Sequence, residues 1–338
     1  MNNVLQEDIA NFSLDEELIK RLKDKTIIIT GATGLIGSVM VRCFNKLGIR
    51  LHLILPVRNV EKAASMFKGS DNNIDIIETE IVEYFSKIDF RADYIIHCAS
   101  PTNGKYMIEH PLETFRMATE TTDAILRYAA RVKCESVVYL SSIEYYGEVT
   151  DDEPLTEDMK GFVNNHSLRS SYPLGKQAAE FIAYCYAKEY DVNVKTARLT
   201  QTFGAGVAEN DNRVFMQFAR SIIAGRDIEL HTLGKSAKSY CYTTDCVKAI
   251  VYILIFGQKG EAYNVANPNT YISIRDLAEY LCKEFNPAIS IKYNLSKDTG
   301  YAPETHTNLS VDKLIKLGWT PEHDLKSMFS RLISSLRN

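Results

Sequence analysis

The chain has 338 residues, room for about two domains at ~150 residues each. With 45% hydrophobic and 24% charged residues it can bury a sizeable core, and a net charge of -4 without any basic run argues against nucleic acid as a partner. No apolar stretch approaches the ~20 residues that span a bilayer, and residues 1–25 are charged throughout with no apolar signal core, so neither membrane insertion nor secretion is expected.

Residues 14–23 (LDEELIKRLK) set Leu14, Leu18, Ile19 and Leu22 at helical spacing and predict a short amphipathic helix. Thr26–Thr30 (TIIIT) predicts a strand that runs straight into a glycine-rich turn. Brief apolar runs recur at Leu51–Leu55, Ile74–Ile77, Tyr94–Ala99, Ser136–Leu140 and Val194–Leu199. Helical stretches such as Pro111–Arg131 and Gln177–Tyr190 lie between most of them. Strands buried on both faces and separated by helices give an α/β fold, a Rossmann-type doubly wound parallel sheet. Beyond about residue 204 the alternation weakens, and helical pieces at Val214–Ala224, Asp245–Phe256 and Ser273–Phe285 predict a smaller C-terminal α/β substrate domain. The expected division is an extension over 1–25, a dinucleotide-binding domain over 26–203 with a strand and helix returning around 241–265, and a substrate-binding domain from 204–240 and 266–338. Seven cysteines (43, 98, 134, 185, 241, 246, 282) are odd in number and never spaced C-x-x-C. They speak against a disulfide framework or a metal cage and for a reducing cytoplasm.

The turn Thr30–Gly37 reads TGATGLIG. After a strand, Gly31 suits a tight turn, Gly34 a close backbone approach to a pyrophosphate, and Gly37 close packing of helix on sheet. The pyrophosphate then sits at a helix N-terminus, where free N–H groups and the dipole favour negative charge. The end of the second strand, Leu55–Arg58, lacks the acid that binds the ribose of NAD. Arg58 there is either a partner for the 2′-phosphate of NADP or a solvated loop charge. Glu80 and Ile81, after the third strand, stand where an adenine would be flanked.

Tyr172 and Lys176 are four residues apart at the start of a helical stretch and so share a face. Pro173 is tolerated only in a first helical turn, which sets Tyr172 at the helix entrance. A phenol with a pKa of ~10 is a poor base at neutral pH, but a neighbouring ammonium and a positively charged nicotinamide lower it. Tyr172 can then take the proton of a sugar hydroxyl while hydride leaves the same carbon. Ser142, at the end of the fifth strand, is placed to hold the substrate oxygen.

Taken in order, Thr30–Gly37, His97–Ser100 (HCAS), Ser141–Gly147 (SSIEYYG) and Tyr172–Lys176 (YPLGK) resemble the signatures of the extended short-chain dehydrogenase/reductase superfamily, in its nucleotide-sugar epimerase/dehydratase branch. The likeness runs from about residue 24 to 335 and includes Leu317-Gly318-Trp319. It implies NAD as cofactor (with NADP as the alternative), a homodimer built through helices around 107–131 and 172–190, and an NDP-sugar oxidised at C4. It also implies cofactor contacts at Gly31, Thr33, Gly34, Leu35, Ile36, Gly37, Arg58, Glu80, Ile81, Ala99, Tyr172 and Lys176. Within the branch the chain is most similar to UDP-glucuronate decarboxylases: Ser142-Ile143-Glu144, Arg169-Ser-Ser-Tyr172 and Asn210-Asp-Asn-Arg213-Val214 resemble their motifs. The 4,6-dehydratases carry an Asp-Glu pair where this chain has Ile143-Glu144, and isoleucine delivers no proton to a departing hydroxyl. Glu144 is left to steer the sugar ring or shuttle a proton.

The substrate contacts so implied are Ser142, Arg169, Gln201, Arg213, Lys238 and His306. Four positions depart from the branch: Lys238 and His306 replace pyrophosphate arginines, Gln201 replaces an asparagine, and Ala118 replaces a helix asparagine. Lysine keeps the charge but loses the bidentate fork. The reading that follows is a nucleotide-uronate decarboxylase; a 4-epimerase, an NADP-linked keto-sugar reductase and a silent dinucleotide-binding protein are the alternatives.

Overall fold

The computed structural model describes residues 3–70, 72–101, 103–295 and 304–337. The chain begins with α1 (Asn3–Asn11) and α2 (Glu16–Leu22), then enters β1 (Thr26–Thr30), α3 (Leu35–Lys46), β2 (His52–Val57), α4 (Val60–Phe67), β3 (Asn73–Glu78) and α5 (Ile81–Lys87). It continues through β4 (Tyr94–His97), α6 (Gly104–Glu109), α7 (Pro111–Val132), β5 (Ser136–Ser142), α8 (Ser171–Glu189) and β6 (Val194–Leu199). The remainder comprises β7 (Gln201–Phe203), α9 (Val214–Ala224), β8 (Ile228–Leu230), β9 (Ala237–Tyr242), α10 (Thr243–Phe256), β10 (Ala262–Val265), β11 (Asn267–Ser273), α11 (Ile274–Phe285), β12 (Ile291–Tyr293), β13 (His306–Thr307), α12 (Asp312–Ile315) and α13 (Leu325–Arg337). No described helix is long and apolar enough to cross a membrane.

Seven parallel strands form the main sheet in the order β10-β6-β5-β4-β1-β2-β3. This is the doubly wound arrangement, and its strand order reverses between β1 and β4, where such sheets open a ligand crevice at their carboxyl ends. Alternation within β1 explains why both faces are covered. Ile27 and Ile29 join the core under α3 and α10, whereas Ile28 joins Ile95 and Val137 in the core under α5 and α7. Helix α7 starts on Pro111, whose missing N–H costs nothing at a first position, and ends at the left-handed Lys133. Helices α7 and α8 cross closely because small residues meet: a Cβ on Gly175 would lie 3.2 Å from the Ala118 methyl.

A second, smaller sheet sets β9 between β11 on one side and β13 and β7 on the other. Its apolar cluster draws Phe203, Phe215, Tyr240, Leu277, Leu281 and Phe329 from segments far apart in sequence. Helix α1 packs where the two parts meet. Leu5 is buried against Gly206, and the buried Asp8 accepts a hydrogen bond from the Tyr242 hydroxyl at 2.6 Å. Asp8 also pairs with Arg331, which donates to the Val4 carbonyl at 3.2 Å.

Candidate active site

The crevice begins at the glycine turn. Gly31 takes φ +67°, and a Cβ there would sit 2.7 Å from the Ala99 backbone nitrogen, so the loops after β1 and β4 touch only because this residue is glycine. A Cβ on Gly37 would lie 2.4 Å from the Gly31 carbonyl oxygen, which fixes α3 tightly beneath the turn. At Gly34 the only atom within 4 Å would be that same oxygen, at 3.3 Å, so its outer side is open. The first helical bond of α3 runs from the Ser38 N–H to the Gly34 carbonyl. The N–H groups of residues 35–37 therefore lack intrahelical acceptors and face the opening, a cradle that fits a pyrophosphate. Arg58 directly follows β2 and is exposed, Glu80 occupies the cap position of α5, and Ile81 begins that helix. Thr33, Leu35 and Ile36 are half-buried at the turn.

Ser142 is the last residue of β5, and Tyr172 and Lys176 lie in the first two turns of α8, with Pro173 at that helix's third position. The Ser142 hydroxyl caps the following 3-10 turn (Ile143–Tyr146) by accepting from the Glu144 N–H at 3.2 Å. Lys176 is 2% exposed, donates to the Leu140 carbonyl at 2.8 Å, and lies 5.6 Å from the Tyr172 ring centre and 4.8 Å from that of Tyr139. Burial pushes the Lys176 ammonium down to about 8, opposed by the carboxylate of Glu180. Burial likewise pushes the Tyr172 phenol up to about 12, reinforced by the Glu144 charge, while the neighbouring hydroxyls of Ser142 and Ser100 favour the phenolate. Without a bound cation the site is thus poised against ionisation, and the positive ring of an oxidised nicotinamide is the charge it lacks. Behind it, His97 bridges Thr30 at 2.7 Å and Thr121 at 3.1 Å, and burial pushes it down to about 3, so it is a neutral strut.

Glu144 is held by Arg169 at 2.7 Å, and the guanidinium lies 6.0 Å from the Tyr172 ring centre. The Arg169 Nη1 is buried and has no protein partner. Lys238, half-buried in β9, makes no ion pair among the described residues; burial pushes its ammonium down, opposed by the charge of Glu144. Ser142, Glu144 and Arg169 thus surround Tyr172, and Lys238 joins the group through the charge of Glu144. The other substrate candidates are less available. Arg213 is gripped by Asp211 at 2.6 Å, and His306 is held by Asp152 at 2.7 Å and Glu304 at 3.3 Å, contacts that push its imidazole up. Gln201 is half-buried at the start of β7, paired in register with Tyr240.

Sequence reasoning missed the buried ion pair of Arg198 and Glu180, 2.8 Å apart behind Lys176. Its signal was an arginine inside Val194–Leu199, a strand buried along its whole length. It also missed Gln177, whose amide donates to the Tyr145 carbonyl at 2.7 Å and ties α8 to the 3-10 turn.

The model of the NAD dependent epimerase/dehydratase family matches residues 27–266. UDP-glucuronic acid decarboxylase 1 of Xenopus tropicalis is 27% identical over 317 residues, covering 93% of this chain and 72% of that protein. UDP-glucuronic acid decarboxylase 6 of Arabidopsis thaliana is 26% identical over 315 residues, covering 89% and 85%. Among solved structures, an epimerase from Methanothermobacter thermautotrophicus superposes with a TM-score of 0.78 at 18% identity over 99% of this chain and 96% of its own. The NAD-bound dTDP-glucose 4,6-dehydratase of Streptomyces venezuelae gives 0.75 at 18% identity over 92% and 97%. Both structural likenesses speak to the fold, which is the doubly wound sheet expected from the sequence. With the family model spanning most of its length, the chain is an enzyme belonging to the NAD dependent epimerase/dehydratase family.

Proposed function

We propose that the enzyme decarboxylates a nucleotide-linked uronic acid of the UDP-glucuronate type. The observation that carries this reading is a pair of cationic groups that share Glu144 as their carboxylate among the described residues: Arg169, beside Tyr172 and with its Nη1 unpartnered, and the ammonium of Lys238. A sugar carboxylate supplies the charge this arrangement is short of. The presence of Ile143 where a dehydratase needs an acid supports the same reading.

Gly31, Gly34 and Gly37 with the first turn of α3 hold the dinucleotide, aided by Thr33, Leu35, Ile36 and Ala99, with Arg58, Glu80 and Ile81 at the adenosine end. NAD held there would supply a reversible hydride acceptor for C4 of the sugar. Tyr172 removes the C4 hydroxyl proton, Ser142 holds that oxygen, and Lys176 stabilises the phenolate. The C4 ketone lies β to the carboxylate, so loss of CO2 leaves an enolate whose charge delocalises onto the oxygen held by Ser142 and Tyr172, and uptake of a solvent proton at C5 restores the ketone before its reduction to the pentose. Glu144 steers the ring while Arg169 and Lys238 orient the carboxylate; Gln201 contacts the nucleotide part, which Arg213 and His306 join only on release from Asp211 and from Asp152 and Glu304. Residues 26–203 with the return near 241–265 serve the dinucleotide, and 204–240 with 266–338 serve the sugar nucleotide.

The working form is a homodimer, and the exposed Leu112 on α7 with Phe181 (67% exposed) and Tyr184 on α8 provides the apolar face. Phe181→Asp should yield monomers by light scattering. The seven unpaired cysteines support a reducing compartment such as the cytoplasm. Incubation with UDP-glucuronate and NAD should release CO2 and give a UDP-pentose by mass spectrometry. Unchanged UDP-glucuronate alongside turnover of UDP-glucose without mass change would replace this reading with a 4-epimerase.

A further inference from the structure

Arg198, next to the last residue of β6, reaches both α8 and the 3-10 turn Ile143–Tyr146. Its Nε and Nη2 grip both oxygens of Glu180 at 2.8–3.2 Å, and Glu180 lies one turn beyond Lys176 on α8. Its Nη1 donates to the Glu157 carbonyl at 2.6 Å and to the Tyr146 hydroxyl oxygen at 3.1 Å. The guanidinium stacks 3.5 Å from the ring centre of Tyr145. Tyr145 and Tyr146 close the 3-10 turn that holds Glu144 and is capped by Ser142. The Tyr146 hydroxyl donates onward to Asn264 at 2.7 Å, and Asn264 donates to the Leu155 and Ser310 carbonyls at 2.9 Å each. One buried cation thus joins the helix bearing Tyr172 and Lys176 to the turn bearing Ser142 and Glu144.

Neither member of the ion pair opens on the crevice: their side chains are 4% and 8% exposed. A buried ion pair is a weak means of stabilising a fold, because desolvation offsets its attraction and an apolar pair of similar volume holds the core as well. What it supplies instead is direction. A guanidinium fork with a planar partner and a stacked ring defines one geometry, whereas apolar packing tolerates several. We propose that Arg198 and Glu180 are positioning residues that fix the Ser142–Glu144 turn against the Tyr172–Lys176 helix. The proposal rests on the catalytic reading of those four residues. Glu180 has a second effect, as a fixed negative charge near the Lys176 ammonium. The other ionisable groups facing that ammonium are Tyr172 on α8, Tyr139 on β5, His97 and Cys98 at the end of β4, and Glu144 on the turn.

The test uses the full chain with bound NAD and whichever of UDP-glucuronate and UDP-glucose the parent enzyme turns over. The double variant Arg198→Met with Glu180→Leu removes both charges at similar volume. It should fold and keep its dinucleotide, lose about tenfold or more in kcat with KM within about threefold, and shift the alkaline limb of kcat to lower pH, since small misplacement of catalytic groups is costly. Arg198→Lys, which keeps the charge but not the fork, should lower kcat while leaving the alkaline limb in place. A folded double variant with the parent kcat and pH profile overturns the proposal. If the double variant does not fold, Tyr145→Leu decides: it leaves the ion pair intact and removes only the stacked ring, and an unchanged kcat there likewise overturns it. Tyr172→Phe is run in parallel; if that variant retains turnover, the catalytic reading fails independently of Arg198.

Discussion

Replacing Lys176 by methionine should make the protein more stable and inactive at once. The ammonium is 2% exposed and, without dinucleotide, is pushed from 10.5 to about 8, mainly by burial. At 1.36 kcal/mol per pH unit, that gap amounts to about 3 kcal/mol of folding free energy spent on keeping the charge buried. Methionine fills similar volume and forfeits the hydrogen bond to the Leu140 carbonyl, a loss of about 1 kcal/mol. The net gain is about 2 kcal/mol, which for a chain of 338 residues corresponds to a rise in Tm of about 3 °C. Because this base has a folded pKa below its unfolded one, the penalty is complete below pH 8, where both states bind the proton. Between about 8 and 10.5 the native protein has released its proton while the unfolded chain keeps it, so the parent gains stability as pH rises and the variant's advantage vanishes. Scanning calorimetry of dinucleotide-free parent and variant at about pH 7 and about pH 10 measures the difference. A variant that melts at or below the parent at neutral pH, or an advantage unchanged at alkaline pH, refutes the reasoning.

Tyr172→Phe should lower turnover by about 10³-fold or more, as loss of a general base does, while bound NAD measured after denaturation stays at parent level. Gly31→Ala should empty the enzyme of dinucleotide. The left-handed turn adds about 1–2 kcal/mol of strain, and the new methyl, 2.7 Å from the Ala99 nitrogen, must push the β1 and β4 loops apart. Asp8→Ala leaves the Tyr242 hydroxyl and the Arg331 guanidinium short of a buried acceptor. A loss of about 2–3 kcal/mol, seen as a Tm lowered by about 3–4 °C with unchanged NAD content, is expected.

The main sheet was legible because its strands are buried on both faces and therefore read as unbroken apolar runs; Thr26–Thr30 and Val194–Leu199 have the predicted bounds. Pro173 placed the start of α8 for a steric reason that tertiary context does not override. The smaller sheet was not legible. Its strands β7 (QTF) and β13 (HT) span three and two residues, too few to show a period, and exist only because β9 offers them an edge. Charge partners were equally hidden. Arg213 reads as a cation available to substrate, yet Asp211 occupies it, and Arg198 finds Glu180 only when strand and helix are brought face to face.

The bond between Asp8 and Arg331 spans 323 positions. Helix α1 is therefore synthesised long before Arg331, and its buried Asp8 carboxylate lacks that cation until α13 has left the ribosome. Closing so large a loop comes late and slowly. Nascent chains stalled ahead of α13 should thus hold the dinucleotide fold with α1 still accessible to protease, and completion of α13 is the event that shuts it in.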